Sequence, residues 1–133
     1  MQTNKAYHTW ERAEGIIKKI YPLTKEIKLF PLTLKILLQA WEYQLQNRLK
    51  EKKDKTKITK ENMNTLLKKY KVKASLAKCY KEMQTFQENK EKSPLEFQRK
   101  EKYVICSDKY QITILNEEKI LEYLQQTKEF LNT

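Results

Sequence analysis

The sequence predicts a mainly α-helical, compact single domain with a small β-hairpin and five or so helices, and three observations carry that expectation. Glycine occurs once and proline three times in 133 residues, too few turn-forming and positive-φ residues for a loop-rich β protein. Apolar residues recur at i, i+3, i+4 and i+7 along most of the chain, the period of an amphipathic helix. The β-branched and aromatic runs of strand length lie together, between residues 102 and 115. With 39% hydrophobic residues, eight Tyr, four Phe and two Trp, the chain can fill one core. Its length suits one domain over 1–133 and not two.

Trp10, Ala13, Ile16, Ile17 and Ile20 predict a first helix over 9–20, with Thr9 as its cap and Pro22 as its stop. A connector through Thr24 and Lys28 leads to Phe30 and Pro31. Leu34, Leu37, Leu38, Trp41, Leu45 and Leu49 then form the apolar stripe of a second helix of about 18 residues. The run Lys50 to Lys57 buries nothing and repels itself, so 50–58 reads as a basic connector, either loop or frayed helix end. Thr59 offers an N-cap to a third helix with Met63, Leu66, Leu67 and Tyr70 on one face and Lys60, Asn64, Lys68 and Lys71 on another. After Tyr70 the apolar phase slips to Val72, Leu76, Cys79, Tyr80 and Met83, which places a tight turn or a kink near Lys71 to Lys73.

Residues 87–101 are polar, interrupted by Pro94 and without a sustained period, and read as a surface loop. Lys102 to Ser107 and Tyr110 to Leu115 read as the two strands of a hairpin, turning at Ser107-Asp108-Lys109. Asn116 caps a last helix, Glu117 and Glu118 suit its dipole, and Ile120, Leu121, Leu124 and Leu131 form its buried stripe.

Charge is the strongest functional signal. Thirteen of the 28 basic residues fall between Arg48 and Lys81, opposed there by Glu51, Asp54 and Glu61, so this stretch carries +10 of the formal +11. A lysine-rich genome would scatter its lysines; one block beside helical apolar spacing implies a polyanion-binding surface on a folded domain. Catalysis is not expected, because His8 is the only histidine and Gly15 the only glycine, which leaves neither a convergent acid–base set nor a Gly-rich phosphate loop. Cys79, Cys106 and one histidine cannot form a Cys/His zinc cluster. Both thiols are expected in the core of a protein in a reducing compartment, and neither a metal nor a cofactor is expected. Apolar runs too short for a bilayer and the lack of a signal-peptide pattern imply a cytoplasmic chain.

At this point the chain resembles the ProQ/FinO family of RNA-binding domains. Ala13-Glu-Gly-Ile-Ile-Lys-Lys-Ile-Tyr-Pro22, followed by Phe30-Pro-Leu-Thr-Leu-Lys-Ile36, is similar to the family's opening helix with its aromatic-Pro end and to its entry into the next helix. Ile58-Thr-Lys-Glu-Asn-Met-Asn-Thr-Leu-Leu-Lys-Lys-Tyr70 is similar to its basic helix, and Tyr103 through Glu118 to its hairpin leading into a Glu-rich helix start. The stretch from Gln87 to Lys100 stands outside the resemblance. The resemblance implies an RNA chaperone or post-transcriptional regulator, acting as a monomer, that recognises an RNA stem with a single-stranded 3′ tail. It implies RNA contacts by Lys35, Lys60, Lys68, Tyr70, Lys102 and Tyr103, with Tyr70, Lys35 and the Lys102-Tyr103 pair forming one pocket for the RNA 3′ end. Lys69, Lys71 and Lys73 join these candidates from the charge block, because lysines hold phosphates and a tyrosine ring can stack on an unpaired base. For Tyr70 the residues themselves also allow a core-facing aromatic that closes the Met63 stripe.

A second class fits the same element order. Two helices over 59–86, a hairpin and a helix also describe a winged-helix DNA-binding domain, a regulator of transcription or of plasmid or phage replication, with 74–86 as the recognition helix. There Ala74, Ser75, Lys78, Lys81 and Gln84 would face the bases, a set with one long amide and no Arg. A third class, a module that docks on acidic proteins or membrane surfaces, would use the same basic stretch.

Overall fold

A computed structural model describes residues 4–93, 95–107, 109 and 111–133. The first helix, α1, spans Lys5–Gly15 and starts earlier than its periodicity suggests, because Asn4 caps it: the Asn4 side chain accepts the Tyr7 backbone N–H at 3.1 Å. Thr9, expected as the cap, lies inside the helix and donates its hydroxyl to the Lys5 carbonyl. Pro22 does not stop the chain either. The backbone widens into a π-helical turn at Ile16–Ile20, where the Tyr21 N–H reaches the Ile16 carbonyl, and continues as the short helix α2, Tyr21–Thr24, with Pro22 in its first turn. A proline is tolerated there because a first-turn N–H has no partner to lose.

The second long helix, α3, spans the 23 residues Leu29–Glu51, with Pro31 in its first turn. Its Trp41 is fully buried, stacks on Phe130 at 4.0 Å between ring centroids and donates its indole N–H to Thr127 Oγ1 at 2.9 Å. The helix closes through a left-handed residue. Lys53 has φ 53°, its N–H bonds the Lys50 carbonyl, and the Asp54 N–H reaches back to Leu49 at 2.8 Å. This is a Schellman ending with lysine where glycine is usual. Residues 52–58 then form the expected basic connector.

Helix α4, Met63–Lys69, is only seven residues long. Lys60 and Lys71 therefore flank it instead of standing on one of its faces. Thr59 and Asn62 bond each other's backbone N–H, at 3.2 and 2.8 Å, a reciprocal cap over the turn before it. A second Schellman ending follows: Lys71 has φ 56° and bonds the Lys68 carbonyl, and the Val72 N–H bonds Leu67. Of the tight turn or kink expected near Lys71 to Lys73, the structure has the turn, and α5 starts at Ala74.

Helix α5 runs Ala74–Lys92, well into the stretch expected to be a loop, and Leu95–Arg99 is a strand, β1. The sheet that results has the order β1-β2-β3, with β2 at Lys102–Cys106 and β3 at Ile112–Asn116, both pairings antiparallel. The hairpin thus gains a third strand, because Leu95-Glu-Phe-Gln-Arg99 alternates apolar and polar residues with period two. Of the residues expected to break the loop, form the hairpin turn and open the second strand, Pro94, Asp108 and Tyr110 lie outside the described residues.

Asn116 caps α6, Glu117–Leu131, by accepting the Lys119 N–H at 2.9 Å. Its buried stripe is Ile120, Tyr123, Leu124, Thr127 and Phe130; Leu121 is exposed and Leu131 only half-buried. The core lies where α1, α3, α5 and α6 meet, closed by the inner sheet face of Tyr103, Ile105 and Leu115. Cys79 is buried there, whereas Cys106 is half-buried in the outer sheet row between Leu95 and Ile112, and both are free thiols. The protein is a mainly helical molecule with a small antiparallel sheet.

Candidate nucleic-acid interface

Lys60, paired with Glu91 near the far end of α5, stands apart; most of the basic block gathers at one pole, where α3 and α4 end and α5 begins. Its organiser is an acid. Asp54 accepts the Lys69 ammonium and the Tyr70 hydroxyl, each at 2.6 Å, and the backbone N–H and hydroxyl of Thr56 at 2.9 and 2.5 Å. Lys69, then Thr56 and Tyr70, hold the Asp54 carboxyl well below the usual carboxylate range, and the same bond pushes the Tyr70 phenol up. Asp54 therefore ties the connector to the end of α4. Lys52, Asp54, Lys69, Tyr70 and Lys71 enclose an open groove of about 580 Å³.

Most of the block stays free. Among the described residues only Lys60, Lys69 and Lys73 of its thirteen basic side chains form ion pairs, with Glu91 at 3.9 Å, Asp54 at 2.6 Å and Glu129 at 3.5 Å. The first and last are solvent-exposed pairs of the kind that water and salt readily replace. Lys68 and Lys71 are exposed without such partners among the described residues. The N-terminus of α5 adds positive potential, since its Ala74 and Ser75 are exposed and no side chain caps it. Along α5 the exposed positions Ser75, Lys78, Lys81 and Thr85 continue this surface.

The other candidates lie elsewhere. Lys35, exposed on α3, and Tyr103, on β2, line one groove of about 470 Å³ with Lys28, Gln87, Lys90 and Glu96. Gln87 is thirteen residues along α5 from Ala74, so this groove lies about 20 Å from the Tyr70 turn at the helical rise of ~1.5 Å per residue. Tyr70 and the Lys35–Tyr103 pair thus belong to two sites and not to one pocket. Tyr103 is buried, donates its hydroxyl to Glu96 at 2.7 Å and is raised by burial, then by that bond. Its ring has no free face to offer a base. Lys102 is exposed at the end of β2, opposite Arg99 and Asn116.

Sequence reasoning missed Asp54, which reads as one acid diluted in lysine, and missed Gln87 and Glu96. The two-residue alternation of Leu95 to Arg99 was the available signal for the latter. No family model, curated protein or solved structure matches the chain. Fold and surface together define a small, mainly helical domain with one strongly basic pole. Among the described residues no helix is long and apolar enough to cross a membrane.

Proposed function

We propose that this chain binds nucleic acid in the cytoplasm, as a monomer, and that α4, the turn Tyr70 to Lys73 and α5 act as a helix-turn-helix unit on duplex DNA. The observation that carries this reading is the join itself. Helix α4 closes on the left-handed Lys71, and α5 starts three residues later with Ala74, Ser75, Lys78 and Lys81 exposed. A helix presented that way fits the major groove, while Lys68, Lys71, Lys73 and the α5 N-terminus meet backbone phosphates. Lysine and serine read base edges weakly, so affinity would come mostly from phosphate contacts.

The second reading is the ProQ/FinO-type one: an RNA chaperone on stems with 3′ tails. What supports it is the groove that Lys35 lines with Lys28 and Lys90, where the lysines and not the buried Tyr103 ring would meet the strand end. Under it, Lys60 and Lys68 would contribute more than Lys78 and Lys81.

Fluorescence anisotropy with a DNA duplex and an RNA hairpin bearing a 3′ tail, matched in length, separates the two. The duplex reading expects tighter DNA binding and a loss of about 1–3 kcal/mol when Lys78→Ala and Lys81→Ala are combined. Preference for the tailed RNA, with at least about tenfold weaker binding of a 3′-phosphate end than of a 3′-hydroxyl, would replace it with the RNA reading.

A further inference from the structure

Strand β3 leaves a hydrogen-bonding edge open. The Ser107 N–H donates to the Gln111 carbonyl at 2.9 Å, which sets the phase of the β2–β3 ladder. Bonded and non-bonded pairs alternate along an antiparallel ladder, so Thr113 and Leu115 bond β2 while the backbone N–H and C=O of Ile112 and Ile114 point outward. Among the described residues no turn, loop or cap takes them up. Edges are usually protected by a proline, a bulge or an inward-turned charge. The other edge, β1, has such a charge in Glu96, whose carboxylate accepts the Tyr103 hydroxyl on the inner face at 2.7 Å. Ile112-Thr-Ile-Leu-Asn116 has none of these, and its register with β2 is unbroken.

Along that edge runs an open groove of about 570 Å³, bordered by Lys78, Lys81 and Asn89 of α5 and by β3, and lined by the buried Phe86 and Tyr123. Lys78 to Asn89 covers about 16 Å of helix at ~1.5 Å per residue, the length of about five extended residues. Lys78 and Lys81 are exposed and form no ion pair among the described residues, whereas Glu82, the acid in the groove, is held by Lys119 at 3.6 Å. The side chains of Ile112 and Ile114 turn to the outer sheet face, 62% and 48% exposed. An added strand therefore meets apolar neighbours on one face and two free lysines on the other. A second copy of the chain suits this edge poorly, because its own Lys78 and Lys81 would arrive with its β3 and repel these. Charge complementarity selects an acidic occupant.

We propose that an extended acidic segment of a partner protein adds to β3 as an antiparallel fourth strand, its apolar residues beside Ile112 and Ile114 and its alternate acidic residues toward Lys78 and Lys81. Main-chain bonds to the edge supply affinity, and the alternation of side chains supplies specificity. The proposal does not rest on the duplex reading. Lys78 and Lys81 serve both, so duplex and peptide exclude one another, but peptide binding is measured without DNA and each reading can fail by itself.

The probe is a blocked peptide of about eight residues alternating glutamate and valine, followed by fluorescence anisotropy and by amide exchange of the full chain. We expect saturable one-to-one binding, with exchange at the Ile112 and Ile114 amides slowed by about tenfold or more. The valines carry the N–H groups that face β3, so N-methylation of the valines should weaken binding by about tenfold or more, and N-methylation of the glutamates should not. Lys78→Glu combined with Lys81→Glu should weaken it as much, and so should Ile114→Pro, which costs no ladder bond because the Ile114 N–H faces outward. Absence of saturable binding, equal loss on methylation of either residue type, or unchanged exchange at Ile112 and Ile114 overturns the proposal. So does protection of those two amides that rises with protein concentration in the absence of peptide, which would give the edge to a second copy.

Discussion

Thr127 shows how one buried polar atom fixes a core. Its hydroxyl oxygen accepts the Trp41 indole N–H at 2.9 Å, and both residues are fully buried. Thr127→Val keeps the shape and removes the acceptor, which strands the indole donor. We expect a loss of about 1–3 kcal/mol in urea unfolding, and no change would mean that the bond contributes nothing net. Buried acids of weak ionisation matter in the opposite pH range. Burial, then Glu82 and Glu122, pushes the Cys79 thiol up to about 12, and Tyr80, Tyr103 and Tyr123 are raised as well, burial first in each. A group harder to deprotonate when folded stabilises the fold fully below its unfolded value, about 8.5 for a thiol, and loses that contribution as pH rises toward its folded value. Stability should therefore fall between pH ~8.5 and 12, and Cys79→Ser or Cys79→Ala should flatten the onset. A pH-independent midpoint across that window would contradict this.

At the scale of the elements, the chain closes helices with lysine. The four non-glycine residues of positive φ among the described residues, Lys25, Lys53, Lys71 and Lys100, are all lysine and stand at helix ends or in the β1–β2 turn. A side chain with a Cβ is strained there, but the ammonium sits near unpaired carbonyls at a helix C-terminus, where positive charge is favourable. Strain and charge oppose each other at Lys71, and strain is the larger. Lys71→Gly should raise stability by about 1 kcal/mol in denaturant titration, while weakening DNA binding because a phosphate partner is lost. A destabilised Lys71→Gly variant would mean that the lysine's contacts outweigh its backbone strain.

The whole molecule is electrostatically lopsided. One pole holds the connector, α4 and the start of α5, and the rest of the chain is nearly neutral, 15 basic residues against 14 acidic outside 48–81. Binding driven by that pole must release counterions, each neutralised phosphate contributing about −0.7 to −0.9 to the slope of log K against log salt. Four to six engaged lysines give an expected slope of about −3 to −5, measured by anisotropy across a salt series. A slope near zero would remove the electrostatic interface altogether.

Composition and periodicity were enough for the helical class, the apolar face of α3, a break near Lys71, the cap at Asn116 and the position of the charge, because each is a local property of spacing or residue type. Local signals misplaced the helix ends. Asn4, not Thr9, caps α1, and Pro22 follows a π turn into a short helix instead of ending the helix. The polar stretch from Gln87 concealed the last six residues of α5 and a strand, since the alternation of Leu95 to Arg99 is only five residues long and sits among charged residues. The candidate site residues divided in the same way. Lysine at Lys68, Lys71 and Lys73 was legible as charge, but its engagement by Asp54 at Lys69, the separation of Tyr70 from Lys35 and Tyr103, and the meeting of Gln87 and Glu96 with Lys35 are distances between segments far apart in sequence. Only the packing of α5 between the basic pole and the sheet decided those, because the length of that helix sets how far the two sites stand apart.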